Sequence, residues 1–105
     1  MKQHIDIDLL RESAAQGCIE WHKHALERML ERGIARREVV DALVSGEVIE
    51  VYPKDRPFLS CLILRAETKP LHTVAAVDPE TKVAHVITAY RPDTEHFEPD
   101  FRTRR

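Results

Sequence analysis

Val39-Val40-Asp41-Ala42-Leu43-Val44-Ser45-Gly46-Glu47-Val48-Ile49-Glu50-Val51-Tyr52 changes its hydrophobic period at the glycine, and that change decides the fold. Before Gly46, the residues Val39, Val40, Leu43 and Val44 recur at helical spacing and predict a helix from about Arg36 to Ser45. After it the period is two, and Glu47–Tyr52 reads as a β-strand. Gly46 is expected to end the helix in a left-handed conformation, which glycine accepts without steric cost.

On the N-terminal side, His22–Arg32 carries Ala25/Met29 and Leu26/Leu30 at i, i+4, an apolar stripe that Gly33 terminates. The short turn between these two helices reads as an αα-hairpin. Asp6–Gln16 is a further short helix, with Ile5, Leu9 and Leu10 apolar and Gly17 as its stop. Cys18-Ile19-Glu20-Trp21 is too short to assign. On the C-terminal side, Phe58–Ala66, Leu71–Val77 and Val83–Tyr90 are strand-like runs separated by Pro- and charge-rich turns. Such short connections favour an antiparallel meander. The expected fold class is α+β: two to three N-terminal helices packed on one face of a roughly four-stranded antiparallel sheet. One domain is expected over 1–105, with its core at about 19–93 and a charged tail at 94–105. That tail, with Phe97 and Phe101 as its only large apolar residues, either closes over the sheet or stays loose.

The chain has 105 residues, room for a single domain. Its apolar share of 43% and charged share of 32% exclude a disordered chain. No run approaches the roughly 20 apolar residues that span a bilayer, and residues 1–8 lack a signal-peptide core, so a cytoplasmic location is expected. Cys18 and Cys61 form no CxxC motif and read as free thiols. The net charge of −2 excludes a generic polyanion binder.

That charge is unevenly spread. Between Lys23 and Arg37, five basic residues (Lys23, Arg28, Arg32, Arg36, Arg37) face two acidic ones (Glu27, Glu31), a local +3. His24, Arg28 and Arg32 recur every four residues and form one ridge. Arg28 and Arg32 repel each other, and a phosphate lying across their guanidinium forks would relieve this. The same residues also serve as an ordinary solvated helix face, with Glu31 pairing Arg28 and the stem of Arg32 packed.

The last hairpin decides which side chains share a sheet face. Pairing Val77 with Val83 separates apolar from mixed faces better than pairing Asp78 with Val83. The mixed face then holds His72 opposite Thr88 and one step from Tyr90, a candidate acid–base cluster. The competing reading makes Thr88 and Tyr90 ordinary strand formers and His72 a half-exposed strand residue. The same register places His85 on the apolar face as a core histidine; helical spacing separately puts His22 on the apolar stripe of its helix as a boundary residue.

Cys18, His22 and His24, with His4 as a fourth, match no zinc spacing, and no metal site is expected. Cys61 reads as core rather than as a nucleophile. GxSxG, P-loop and GxGxxG motifs are all missing, and no cofactor is expected.

The run His24-Ala25-Leu26-Glu27-Arg28-Met29-Leu30-Glu31-Arg32-Gly33-Ile34, followed by Glu38-Val39-Val40 and Gly46-Glu47-Val48-Ile49-Glu50, resembles the bacterial domain-of-unknown-function family 4258. His72-Thr73-Val74-Ala75-Ala76-Val77-Asp78 and Ile87-Thr88-Ala89-Tyr90-Arg91-Pro92-Asp93 fit the same family. The resemblance covers about Ile19 to Asp93. It implies a layout like that of the RelE/barnase-like, metal-independent ribonucleases. It also implies a cognate antitoxin with a zinc finger and a helix-turn-helix, as for MqsR-type mRNA interferases. The polar set it implies is His24, Arg28, His72, Thr88 and Tyr90. The net charge departs from the basic character of such toxins.

Two functions are therefore expected as alternatives. One is a toxin-type ribonuclease cleaving single-stranded RNA by attack of the 2′-OH. His72 or His24 would be the base, Tyr90 or the other histidine the acid, and Arg28 the charge stabiliser. Arg32, Arg36 and Arg91 would bind substrate. The other is a non-catalytic interaction module that binds a partner protein through the same face.

Overall fold

The computed structural model describes residues 5–67 and 69–105. Elements run α1 (Ile7–Ala15), β1 (Ile19–Trp21), α2 (Lys23–Arg32), α3 (Arg36–Ser45), β2 (Glu47–Tyr52), β3 (Ser60–Arg65), β4 (Leu71–Asp78) and β5 (Val83–Tyr90). The fold is α+β, with three helices and one five-stranded sheet ordered β1-β5-β4-β3-β2. The sheet is mixed rather than purely antiparallel. Ile19–Trp21 forms a fifth strand, parallel to β5, through Ile19↔Ala84 and Trp21↔Val86. Three residues show too little periodicity for sequence to reveal such a strand; pairing with an existing edge creates it.

The helix ends follow local chemistry. The Asp6 side chain accepts from Leu9 N–H at 3.0 Å and starts α1. Gly33, at φ +67, closes α2 in a Schellman pattern, with Ile34 N–H donating to the Met29 carbonyl at 2.9 Å. The carboxylate of Glu38 accepts from Ala35 N–H at 3.0 Å and starts α3. Gly46 behaves differently from the expectation. Its φ is −71, so no left-handed cap forms there. Glycine is required because a Cβ would meet Ile63 Cγ2 at 2.5 Å and the Ala42 carbonyl oxygen at 2.6 Å. The last carbonyls of α3 are instead met by Arg11 of α1, whose guanidinium donates to Leu43 O at 3.1 Å and Gly46 O at 2.7 Å.

The core lies between the helices and one sheet face. Leu10, Ala25, Met29, Val39, Ala42 and Leu43 meet Cys61, Ile63, Leu71, Ala75, Val86 and Ala89. Two expectations about helix packing are corrected. Leu30 is 85% exposed: Ala25 and Met29 are the α2 residues buried in the core, Leu26 packs against it in part, and Leu30 points away from it. Val44 is likewise exposed, its inward place being taken by Ala42. α2 lies on β5 whereas α3 packs on α1, so the two consecutive helices do not form a packed αα-hairpin.

The β4–β5 register is also a correction. Asp78, not Val77, pairs with Val83, and Ala84 and Val86 enter the core in place of Val83 and His85. The register then shifts between Val74 and Ala75, leaving Ile87 as an extra residue on β5. Beyond that bulge His72 pairs with Tyr90, and Thr88 pairs with Val74.

The tail closes over the sheet face that the helices leave free. Phe97 is buried, and Phe97 and Arg104 form an antiparallel bridge. Arg102 pairs with Glu47 at 2.6 Å and Arg104 with Glu50 at 2.9 Å, fastening the tail to β2.

Candidate active site

The register beyond the Ile87 bulge places His72 and Tyr90 side by side on the tail-covered face, with ring centroids 5.3 Å apart. His72 has no exposed surface. Its Nε2 lies 2.8 Å from the carbonyl oxygen of Phe101, which can only accept, so Nε2 carries the proton. Nδ1 is then the acceptor for the Tyr90 hydroxyl, at 3.3 Å. Phe97 closes over the imidazole edge-on, with centroids 4.6 Å apart. Burial lowers the pKa of His72 below 6.5, against the opposing pull of the Phe101 carbonyl and Glu50. Burial raises that of Tyr90, so the phenol stays protonated through neutral pH.

A cleft of about 510 Å³ opens in front of Tyr90, lined by Arg32, Tyr90, Arg91, Pro92, Asp93, His96, Phe97 and Arg104. Arg32 reaches it from the end of α2, anchored by donation to the Ala89 carbonyl at 2.8 Å. Arg91 arrives from the end of β5 and pairs with Glu38 at 2.7 Å. One of its buried nitrogens, Nη1, has no hydrogen-bond partner. Arg104 comes from the tail, stacked 4.8 Å over Phe97 and bound to Glu50. Glu50 also accepts from the Tyr52 hydroxyl at 2.6 Å. Burial and that carboxylate push the Tyr52 phenol up to about 12. His96 Nδ1 faces Asp93 Oδ1 at 2.9 Å, which orients the imidazole at the rim and directs its other nitrogen away from the carboxylate. Three guanidinium groups line the cleft with one carboxylate; Arg91 and Arg104 are ion-paired to Glu38 and Glu50, whereas Arg32 donates to a carbonyl and keeps its charge for an anion beside the phenolic hydroxyl.

Of the residues singled out from sequence, the fold brings His72, Tyr90, Arg32 and Arg91 together. His24 lies eight residues before Arg32, about 12 Å along the helix axis. It is exposed, pairs with Glu27 at 3.3 Å and lines a different hollow with Trp21 and Ile87. Arg28 pairs with Glu31 at 3.2 Å on the exposed side of the helix. Arg36 stacks over Trp21 at 5.5 Å. Thr88 is half-buried opposite Val74, outside the cleft lining. Sequence reasoning missed Arg104, His96 and Glu50. The available signal was the alternation of Arg102 and Arg104 two residues apart, complementary to the acidic Glu47 and Glu50 of β2.

Among the described residues no group of three His, Cys, Asp or Glu side chains is arranged to hold a metal. His4 lies outside the described residues. Cys18 is exposed and Cys61 buried, both as free thiols, and burial raises the Cys61 thiol to about 11. Among the described residues no helix is long and apolar enough to cross a membrane.

Comparison with characterised proteins and with solved structures finds no significant match to either. The sequence model of one family, described as a domain of unknown function (DUF4258), matches residues 21–91. That span runs from the last residue of β1 to Arg91, and so takes in His72, Tyr90, Arg32 and Arg91. The chain belongs to the DUF4258 family.

Proposed function

We propose that the protein is a metal-independent ribonuclease of the RelE/barnase-like, toxin–antitoxin kind, cleaving single-stranded RNA in the Tyr90 cleft. The observation that carries this reading is the convergence of Arg32, Arg91 and Arg104 on a cleft whose wall holds a protonated phenol backed by a buried histidine. In the proposed reaction, the ribose 2′-oxygen attacks the adjacent phosphorus and the bond from phosphorus to the 5′-oxygen breaks. The products are a 2′,3′-cyclic phosphate and a free 5′-hydroxyl. His96, oriented by Asp93, takes the 2′-OH proton, and Tyr90 gives its proton to the departing 5′-oxygen. Arg32 and Arg104 bear the charge of the phosphorane. His72 holds the Tyr90 ring and hydroxyl in place from behind, as a positioning residue.

One observation favours the second reading, a non-catalytic module binding a partner protein. Arg32, Arg91 and Arg104 each already donate to a protein acceptor. A cognate antitoxin with a zinc finger and helix-turn-helix would, on either reading, cover this cleft. Incubation with single-stranded RNA in EDTA separates the two. The ribonuclease reading requires cleavage to cyclic-phosphate ends that Tyr90→Phe and His96→Ala each reduce by about 10²–10⁴-fold. Intact RNA, or cleavage unchanged in both variants, sinks it.

A further inference from the structure

We propose that His22 and His85 form a two-histidine chelate for a late first-row divalent cation, Cu²⁺ or Ni²⁺. The pair lies at the end of the sheet away from the Tyr90 cleft, and the proposal is independent of what that cleft does. His85 and Tyr90 are five residues apart on β5, roughly 16 Å in an extended strand.

His22 Nε2 and His85 Nδ1 are 3.0 Å apart, with their rings nearly perpendicular at 87°. One nitrogen holds a proton and the other accepts it. An ion replacing that proton, at about 2.0–2.1 Å from each nitrogen, would subtend an angle of about 91–97°. That is the cis angle of square-planar or octahedral coordination. A tetrahedral pair needs nitrogens about 3.3–3.4 Å apart, so the spacing disfavours Zn²⁺. Affinity among the remaining ions rises from Ni²⁺ to Cu²⁺. Binding shifts the shared proton to the opposite nitrogen of the donor ring, and both imidazoles coordinate in neutral form.

Both ligands sit on fixed backbone. His22 is the extended residue between β1 and α2, and His85 is paired with Glu20 of β1 on one side and Ala76 of β4 on the other. The Phe58 ring lies against His85, with centroids 5.2 Å apart, and steadies it. The pair lines a cavity of about 310 Å³ together with Asp55, Arg56, Phe58 and Ile87. Glu20 and Asp78 lie within electrostatic reach of His85 and favour a cation. Arg56 opposes it, but its guanidinium is turned onto the carbonyls of Pro53 and Asp55 at 3.0 and 2.8 Å. No third protein ligand completes the site among the described residues, so water fills the other positions.

The test is calorimetric titration of tag-free protein with NiCl₂, then CuCl₂ and ZnCl₂, in a non-chelating buffer. One equivalent is expected, bound in the order Cu²⁺ over Ni²⁺ over Zn²⁺. His22→Asn should weaken Ni²⁺ binding at least tenfold while keeping the fold, since His22 makes no side-chain cap bond and Asn is a strong N-cap. His85→Gln should do the same, and His24→Asn should change nothing. Absence of Ni²⁺ binding at millimolar metal overturns the proposal, as does wild-type affinity in His22→Asn. An equal loss in His24→Asn places the ion elsewhere, and Zn²⁺ bound more tightly than Ni²⁺ removes the cis geometry; either result also overturns it.

Discussion

Tyr90 donates its hydroxyl to Nδ1 of His72 because Nε2 of the same ring is already committed to the Phe101 carbonyl, 2.8 Å away. The backbone of the tail therefore sets the tautomer of a histidine on β4, and that tautomer sets the orientation of a phenol on β5. Tyr90→Phe should cut RNA cleavage by about 10²–10⁴-fold if Tyr90 is the general acid. It also leaves a buried Nδ1 without a donor, which costs roughly 1–3 kcal/mol of stability. Parallel cleavage assays and denaturant melts check both halves. Retained cleavage with the stability loss would reduce Tyr90 to a structural partner of His72.

His72 and His85 are both held below the ordinary imidazole value of 6.5, chiefly by burial, and for His85 also by His22. Below that value the unfolded chain binds more protons than the folded chain. Their contribution to stability is therefore complete above pH 6.5 and is lost as pH falls through the depressed folded values. Lowered carboxylates such as Glu38, held down by its hydrogen bond from Arg91, add the same sign only in more acid solution. The melting temperature should fall between pH 7 and pH 5, with a shallower slope in His72→Gln. A flat or rising profile in the wild type contradicts this assignment.

The helices and the four longer strands were legible because their periods of 3.6 and two are written into the apolar residues. The placement of His72 beside Tyr90 was legible only in outcome. The turn pairs Asp78 with Val83, an offset that alone would put His72 opposite Ala89 and send Tyr90 to the helix side. The bulge at Ile87 restores the parity and brings Tyr90 opposite His72. A hydrophobic pattern averages over a bulge and cannot locate it. Pairing Val77 with Val83 therefore puts His72 and Tyr90 on one face through the wrong register, with Thr88 rather than Tyr90 opposite His72, and it misplaces His85. The tail escaped for another reason. Its anchors are ion pairs, the Phe97 ring and the Phe101 carbonyl, spread over a charged segment that carries no period to read.

Gly46 and Gly33 end their helices for different reasons, and substitution should separate them. At Gly46 an alanine Cβ would strike Ile63 Cγ2 and the Ala42 carbonyl, so Gly46→Ala should cost about 1–3 kcal/mol through displacement of core and backbone. At Gly33 nothing lies within 4 Å of the added carbon, and the cost comes only from φ +67. Gly33→Ala should therefore cost about 1–2 kcal/mol, and Gly33→Asn less, because Asn tolerates the left-handed region. Gly46→Asn should be worse than Gly46→Ala. Equilibrium unfolding of the four variants tests this ordering, and it is wrong if Asn rescues both positions.

Phe97 joins the tail to both halves of the candidate site, the buried His72 and the cleft. Its ring lies edge-on to His72 and under the Arg104 guanidinium, and it is almost fully buried. Phe97→Ala removes that ring, at a cost of about 3–5 kcal/mol for a packed aromatic. It should also admit water to His72. The burial that depresses the imidazole would weaken, so its pKa should move up toward 6.5. Phe97→Leu fills most of the volume and should keep both the stability and the low value. NMR titration of the His72 ring protons in the two variants gives a readout independent of any activity. If His72 stays depressed in Phe97→Ala, the strands rather than the tail provide its burial, and removing the tail should leave the His72–Tyr90 pair unchanged.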